Sequence, residues 1–207
     1  MRPTEAPTLR HETWGEHAAL IARPGEARDR GLGRVATRIL DVATPADPLE
    51  LDLGGRLERV AVAYEEYGRP NAAGDNTVLV CHALTGSAHA AGVGERDGEL
   101  GWWDPLIGPG RAIDTDRFHV VCSNVLGGCY GTTGPSSLDP ATGRPYATRF
   151  PRYTVRDMVA VQKRLLDRLG VRSLRAVVGG SMGGMQVLEW AASFPEMVRS
   201  IVPIGVG

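Results

Sequence analysis

The run Ala176-Val177-Val178-Gly179-Gly180-Ser181-Met182-Gly183-Gly184-Met185-Gln186 constrains the fold of this chain more than any other stretch. The apolar segment Leu174 to Val178 reads as a buried strand, and an apolar helical pattern starts directly after the glycines. A serine between glycines at a strand-to-helix turn is the sequence form of a nucleophile elbow, and that context gives weight to an otherwise common G-x-S-x-G match. Such a turn strains the serine backbone and lifts the hydroxyl above the sheet edge. Gly179 and Gly183 are expected to be bare because strand and helix pass too closely for side chains. The Met182 amide opens the helix, has no intrahelical acceptor and can face a developing oxyanion. A Gly-rich turn without chemistry is the competing reading, and five small residues in the required places favour the elbow.

A chain of 207 residues with 43% hydrophobic content can bury one sizeable core. Its net charge of −1, with no basic block, argues against nucleic acid as a partner. Lys163 is the sole lysine, a compositional bias toward arginine rather than a binding device. Cys81, Cys122 and Cys129 are odd in number and lack C-x-x-C spacing, which fits a reduced cytoplasmic protein better than a disulfide scaffold or a zinc site. No apolar run reaches the roughly 18 residues of a membrane span, and the N-terminus has no hydrophobic signal core, so no membrane partner is expected.

Residues 1–45 are rich in Arg, Glu, Pro, Ala and Gly without a sustained period and read as a flexible extension, with Trp14 and Ala18 to Ile21 as a candidate docking turn. The ordered domain is expected over 46–207. Leu51, Leu53 and Leu57, then Val60, Val62 and Tyr64, alternate around Gly54-Gly55 as a β-hairpin with one buried face. Thr77 to Cys81 and Phe118 to Cys122 are continuous apolar runs, as in central parallel strands. Residues 154–169 carry an amphipathic helical stripe, with Thr154 and Asp157 as a capping box and Gly170 as the stop. A helix over 182–193 and a central strand from Val198 to Ile204 follow. Alternating strands and helices specify an α/β fold, mostly parallel and opened by an antiparallel hairpin.

Two loops hold the remaining chemistry. After the strand 77–81 comes His82-Ala83-Leu84-Thr85-Gly86-Ser87-Ala88-His89. In folds with such an elbow, one oxyanion donor follows the serine and the other lies in the loop after an early central strand, which assigns Met182 and Leu84. His82 and His89 read as structural or solvent-facing rather than as bases. The Gly- and Trp-rich region 101–146 divides evenly between a substrate-site wall and plain loop packing. It lacks the Lys-Ser/Thr of a phosphate loop, and Cys129 within it reads as a small buried residue rather than a nucleophile.

The set His82-Ala83-Leu84-Thr85-Gly86, Gly101-Trp102-Trp103-Asp104, Ile107-Gly108-Pro109-Gly110, Cys122 to Cys129, Gly134-Pro135-Ser136-Ser137, Thr154 to Met158 and Gly179 to Gln186 resembles the homoserine O-acetyltransferase family of the α/β-hydrolase superfamily from about residue 48 onward. The resemblance implies ping-pong transfer of acetyl from acetyl-CoA to the L-homoserine hydroxyl, in methionine biosynthesis. Ser181 would be acylated and the Leu84 and Met182 amides would hold the oxyanion. Acetyl-CoA would be a co-substrate, with no bound cofactor and no metal, and the full-length protein a homodimer. In that fold the triad acid and histidine follow the serine, yet no histidine follows Ser181, and Glu189 and Glu196 are not where a triad acid would stand. The resemblance therefore implies a C-terminally incomplete α/β-hydrolase domain, nearly inactive alone, with its lid and last strands absent. Open alternatives are a succinyl donor, a serine acceptor, a serine esterase of the same fold, and a non-catalytic fragment.

Overall fold

The computed structural model describes residues 31–206; Trp14 and Ala18 to Ile21 lie outside them. Six strands form the main sheet: β1 (Arg38–Ala43), β2 (Val60–Tyr67), β3 (Thr77–Cys81), β4 (His119–Ser123), β5 (Leu174–Gly180) and β6 (Ile201–Ile204). Their order is β6-β5-β3-β4-β2-β1. β4, β3, β5 and β6 run parallel, while β1 pairs antiparallel with β2 and β2 antiparallel with β4. The antiparallel opening of a mostly parallel sheet is thus present, but its first strand is not the expected one. Residues 38–43, assigned by sequence to the flexible extension, form β1 and pair with Val60 to Tyr64. Further upstream, Arg34–Val35 pairs with Val93–Gly94. Four of its six residues are apolar, but they show no alternation: Arg38, Ile39 and Asp41 are exposed and only its end, Val42 and Ala43, is buried, as in an edge strand.

The alternation over 51–57 belongs to a smaller unit, in which Leu49–Glu50 pairs with Arg56–Leu57. Leu51 and Leu57 are buried there, but Leu53 is exposed at the turn. β2 is buried along most of its length and on both faces, so its period-2 signal is not that of a half-solvated hairpin.

The apolar runs in β3, β4 and β5 have one cause, because each strand alternates between two covered faces. Leu79, Cys81, Val121 and Val177 point toward the helices, into a cluster with Val159, Leu165, Leu166 and Trp190. Val78, Val80, Val120, Cys122 and Val178 point the other way, against Ala90, Ala91, Ile107 and Trp103 from the long β3–β4 connection. Part of the 101–146 region is therefore core packing. Helix α1 (Val155–Arg168) and helix α2 (Met182–Ser193) cover the first face. The expected capping box is formed: the Thr154 hydroxyl accepts from the Asp157 amide, and the Asp157 carboxylate accepts from the Thr154 amide at 2.7 Å. Asp157 also accepts from the Asp52 amide at 2.8 Å, which ties the helix start to the preceding turn. β6 is shorter than the apolar run 198–204, and among the described residues it pairs only with β5 and is exposed along its length.

Because Asp157 satisfies two backbone amides at a buried site and Thr154 only one, their replacements separate. Thr154→Ala should cost about 1 kcal/mol and Asp157→Ala roughly 2–3 kcal/mol in urea unfolding. Equal losses would show that the Asp52 contact contributes nothing.

Candidate active site

Ser181 sits between β5 and α2 with φ 55° and ψ −122°, one of two non-glycine residues with positive φ among the described residues. A serine held there costs on the order of 1–3 kcal/mol, supplied by the packing around it. On one side its amide donates to the Ile204 carbonyl at 2.9 Å, and on the other its carbonyl accepts from the Met185 amide at 3.1 Å. The side chain is exposed. The glycines have the reason expected of them. A Cβ at Gly179 would lie 2.6 Å from the Cys81 carbonyl oxygen, and one at Gly183 would lie 2.1 Å from it and 3.0 Å from the His82 oxygen. The first turn of α2 therefore rests on the end of β3.

That contact brings the two predicted oxyanion segments to neighbouring strand ends. Gly179 is the register partner of Cys81, so residues 180–182 and 82–84 leave the sheet side by side, where the strand order reverses. Leu84 occupies the second position of a turn closed by the Gly86 amide on the Ala83 carbonyl at 2.9 Å, and its side chain is 75% exposed. Met182 is the first residue of α2 and carries one of the amides that a helix start leaves without an intrahelical partner.

A buried polar chain below the elbow escaped the sequence reading. Trp190 Nε1 donates to Gln162 Oε1 at 2.7 Å, Gln162 Nε2 donates to Gln186 Oε1 at 2.7 Å, and Gln186 Nε2 donates to the Met182 carbonyl at 3.3 Å. It fixes the roll of α2 under Ser181. A glutamine two residues past the second glycine pair, on the buried side of an apolar helix, was the available signal.

Each histidine among the described residues has both ring nitrogens engaged. His82 is 2% exposed; its Nε2 accepts from the Val125 amide at 3.2 Å, so Nδ1 carries the proton and donates to the Ala83 carbonyl at 2.7 Å. Burial pushes its pKa below the ordinary 6.5, against a smaller opposing effect of the Ala83 carbonyl. His119 bridges Thr77 Oγ1 at 3.1 Å and Glu66 at 2.9 Å. His89 contacts Glu65 at 2.9 Å and the Glu99 carbonyl at 3.0 Å. None is left free to serve Ser181. The two carboxylates after the serine are also placed elsewhere: Glu189 pairs with Arg156 and accepts from Ser193, and Glu196 is exposed.

A cavity of about 520 Å³ opens beside the loop that carries Leu84, lined by Ser87, His89, Trp102, Asn124, Cys129 and Tyr130 among others. Residues of the Gly/aromatic region thus supply both wall and core. Cys129, expected to be buried, is exposed on that wall. Cys81 and Cys122 are buried, and burial pushes the Cys81 thiol up to about 12, so it is inert toward bases. No helix among the described residues is long and apolar enough to cross a membrane.

Residues 76–206 match the family model of the alpha/beta hydrolase fold. A homoserine O-acetyltransferase of Symbiobacterium thermophilum is 62% identical over 169 residues, covering 81% of this chain and 44% of that protein. One of Deferribacter desulfuricans is 53% identical over 178 residues, covering 86% and 46%. Among solved structures, esterase E22 superposes with a TM-score of 0.74 at 42% identity over 80% of this chain and 47% of its own. Homoserine O-acetyltransferase from Bacillus anthracis gives 0.73 at 36% identity over 80% and 46%. The chain spans less than half the length of these relatives.

Two outcomes follow from the site geometry. Gly183→Ala should destabilise the protein by roughly 2–3 kcal/mol, because the clash is with backbone that cannot move aside; a Tm unchanged within error would refute the close approach. His82 has a folded pKa below 6.5, so the unfolded chain takes up its proton first. Its stabilising contribution is complete above that pH and is lost as pH falls. The denaturation midpoint should drop between about pH 7 and pH 5 in the wild type and drop less in His82→Asn, measured at constant ionic strength.

Proposed function

Because the chain belongs to the alpha/beta hydrolase fold family, we propose that it carries the nucleophile-bearing part of a homoserine O-acetyltransferase, in which Ser181 takes acetyl from acetyl-CoA and passes it to L-homoserine. The observation that carries the reading is the strained Ser181 elbow lying beside the Leu84 turn, within a stretch so similar to homoserine O-acetyltransferases. In this reading the Ser181 oxygen attacks the thioester carbonyl, and its proton goes to a general base and on to the leaving CoA sulfur. The tetrahedral oxyanion is held by the Leu84 and Met182 amides, donors worth several kcal/mol in a dry site. The homoserine hydroxyl then attacks the acyl-serine, its proton returning through the same base to Ser181. A serine hydroxyl needs that base, and His82, His89 and His119 are all committed elsewhere, so the base is assigned to residues other than these. Pairing of full-length copies as a homodimer and a cytoplasmic setting, where free cysteines persist, belong to the same reading.

The likeness to esterase E22 supports a second outcome, in which water replaces homoserine as the acceptor. Thiol release from acetyl-CoA, with and without L-homoserine, separates the two in protein extended to the length of the relatives. Homoserine-dependent release that Ser181→Ala lowers by roughly 10³-fold or more is expected. Release independent of any amino-acid acceptor would favour the esterase, and use of succinyl-CoA instead would change the donor. Leu84→Pro deletes the proposed donor at a turn position that accepts proline and should lower kcat about 10²–10³-fold. Leu84→Ala keeps the amide and should leave kcat within a few-fold. Equal effects of the two would remove Leu84 from the oxyanion hole.

A further inference from the structure

At the far end of the loop that carries Leu84, one carboxylate is buried where an apolar strand gave no reason to expect it. Glu65 on β2 is 1% exposed and accepts three side-chain hydrogen bonds: from Thr37 Oγ1 at 2.8 Å, from the Tyr67 hydroxyl at 2.7 Å and from His89 Nδ1 at 2.9 Å. The second His89 nitrogen faces the Glu99 carbonyl at 3.0 Å, a group that can only accept. Nε2 therefore donates to the Glu99 carbonyl, and with Glu65 as a carboxylate Nδ1 donates as well, so that an imidazolium pairs with a buried carboxylate. The Tyr67 oxygen in turn accepts from the Ala90 amide at 2.8 Å and lies 3.2 Å from the Ala91 amide. The far end of the loop that starts at His82 is therefore fastened to β2 through this one cluster. Its near end is held by His82 on Val125, and next to His89 the Ala88 amide donates to Asn124 Oδ1 at 2.6 Å.

We propose that Glu65 and His89 are a positioning pair that holds the 82–91 loop so that the Leu84 amide stays aimed at the oxyanion site; the role of that loop rests on the acyl-transfer reading above. An oxyanion donor acts only when fixed to within about half an ångström, and the 83–86 turn, exposed at Leu84 and Thr85, has little packing of its own at the donor. The charged and titratable groups around His89 are Glu65 from β2, with Tyr67 bonded to the same carboxyl oxygen, and Asp97 from the adjoining segment, while Glu95, Arg96 and Glu99 line cavities shared with His89. Burial acts to lower the His89 pKa, but the bonds to Glu65 and to the Glu99 carbonyl, together with the charges of Glu65 and Asp97, outweigh it and hold the pKa above 6.5. Its contribution to stability is therefore full below that pH and lost as pH rises through the folded value, opposite in sign to that of His82.

Three readouts on Glu65→Gln, His89→Ala and His89→Gln test the pair: amide hydrogen exchange over residues 83–91, ring-nitrogen NMR of His89, and the rate of Ser181 acetylation by acetyl-CoA, all in protein extended to the length of the relatives. Glu65→Gln and His89→Ala should speed exchange at least ten-fold and lower the maximal acetylation rate ten-fold or more, with KM within two-fold. His89→Gln keeps an N–H toward Glu65; it should restore most of the protection and abolish the decline in rate that the wild type shows as His89 deprotonates. Exchange and acetylation within two-fold of wild type in both disruptive variants, or a singly protonated His89 ring at pH 6, would overturn the proposal. Should His89→Ala unfold, rescue by His89→Gln together with a doubly protonated wild-type ring supports the pair, and failure of either one overturns it. If acetylation proves independent of Ser181 while loop protection still collapses as expected, the acyl-transfer reading falls and the pair stands.

Discussion

The contact between the first turn of α2 and the carbonyl end of β3 is the constraint on which the candidate site depends. With Cys81 and His82 carbonyls where a Cβ at Gly183 would be, helix and strand approach to backbone distance. This closeness forces the chain to reverse within Ser181 itself, and the cost appears as its positive φ. The same contact sets the Met182 amide beside the loop leaving β3. Hydroxyl, helix start and neighbouring turn are thus consequences of one packing distance rather than separate features.

What holds this arrangement is polar as much as apolar. Below the elbow, Trp190, Gln162 and Gln186 form a buried chain that ends on the Met182 carbonyl. Beside it, the Glu65, Tyr67 and His89 cluster fastens the 82–91 loop to β2. Buried groups of this kind are costly unless fully bonded, and when fully bonded they permit a single geometry. That fits a site whose donors must be fixed before the substrate arrives.

Legibility differed by element for physical reasons. The elbow, α1 with its capping box, α2 and the β3 strand could be read because their signals are local: small residues at a sharp turn, a 3.6-residue stripe, a short apolar run between turns. β1 could not, since its four apolar residues show no alternation and its pairing partners lie some twenty residues downstream. The hairpin was misplaced to 51–64 because alternation reports a covered face without saying what covers it. Cys129 was expected inside and is exposed, because its position depends on how a long loop folds over the sheet.

By itself, the sequence determined that a serine stands at a strand-to-helix turn too tight for side chains, in an alternating α/β chain. These follow from steric limits and periodicities that act over a few residues. Only the tertiary structure decided that every histidine among the described residues is committed to other partners, that Glu65 is buried against His89, and that a glutamine chain underlies the elbow. Those depend on groups distant in sequence meeting in a low-dielectric interior, where a hydrogen bond's partner, and hence a side chain's protonation and role, is set by the fold.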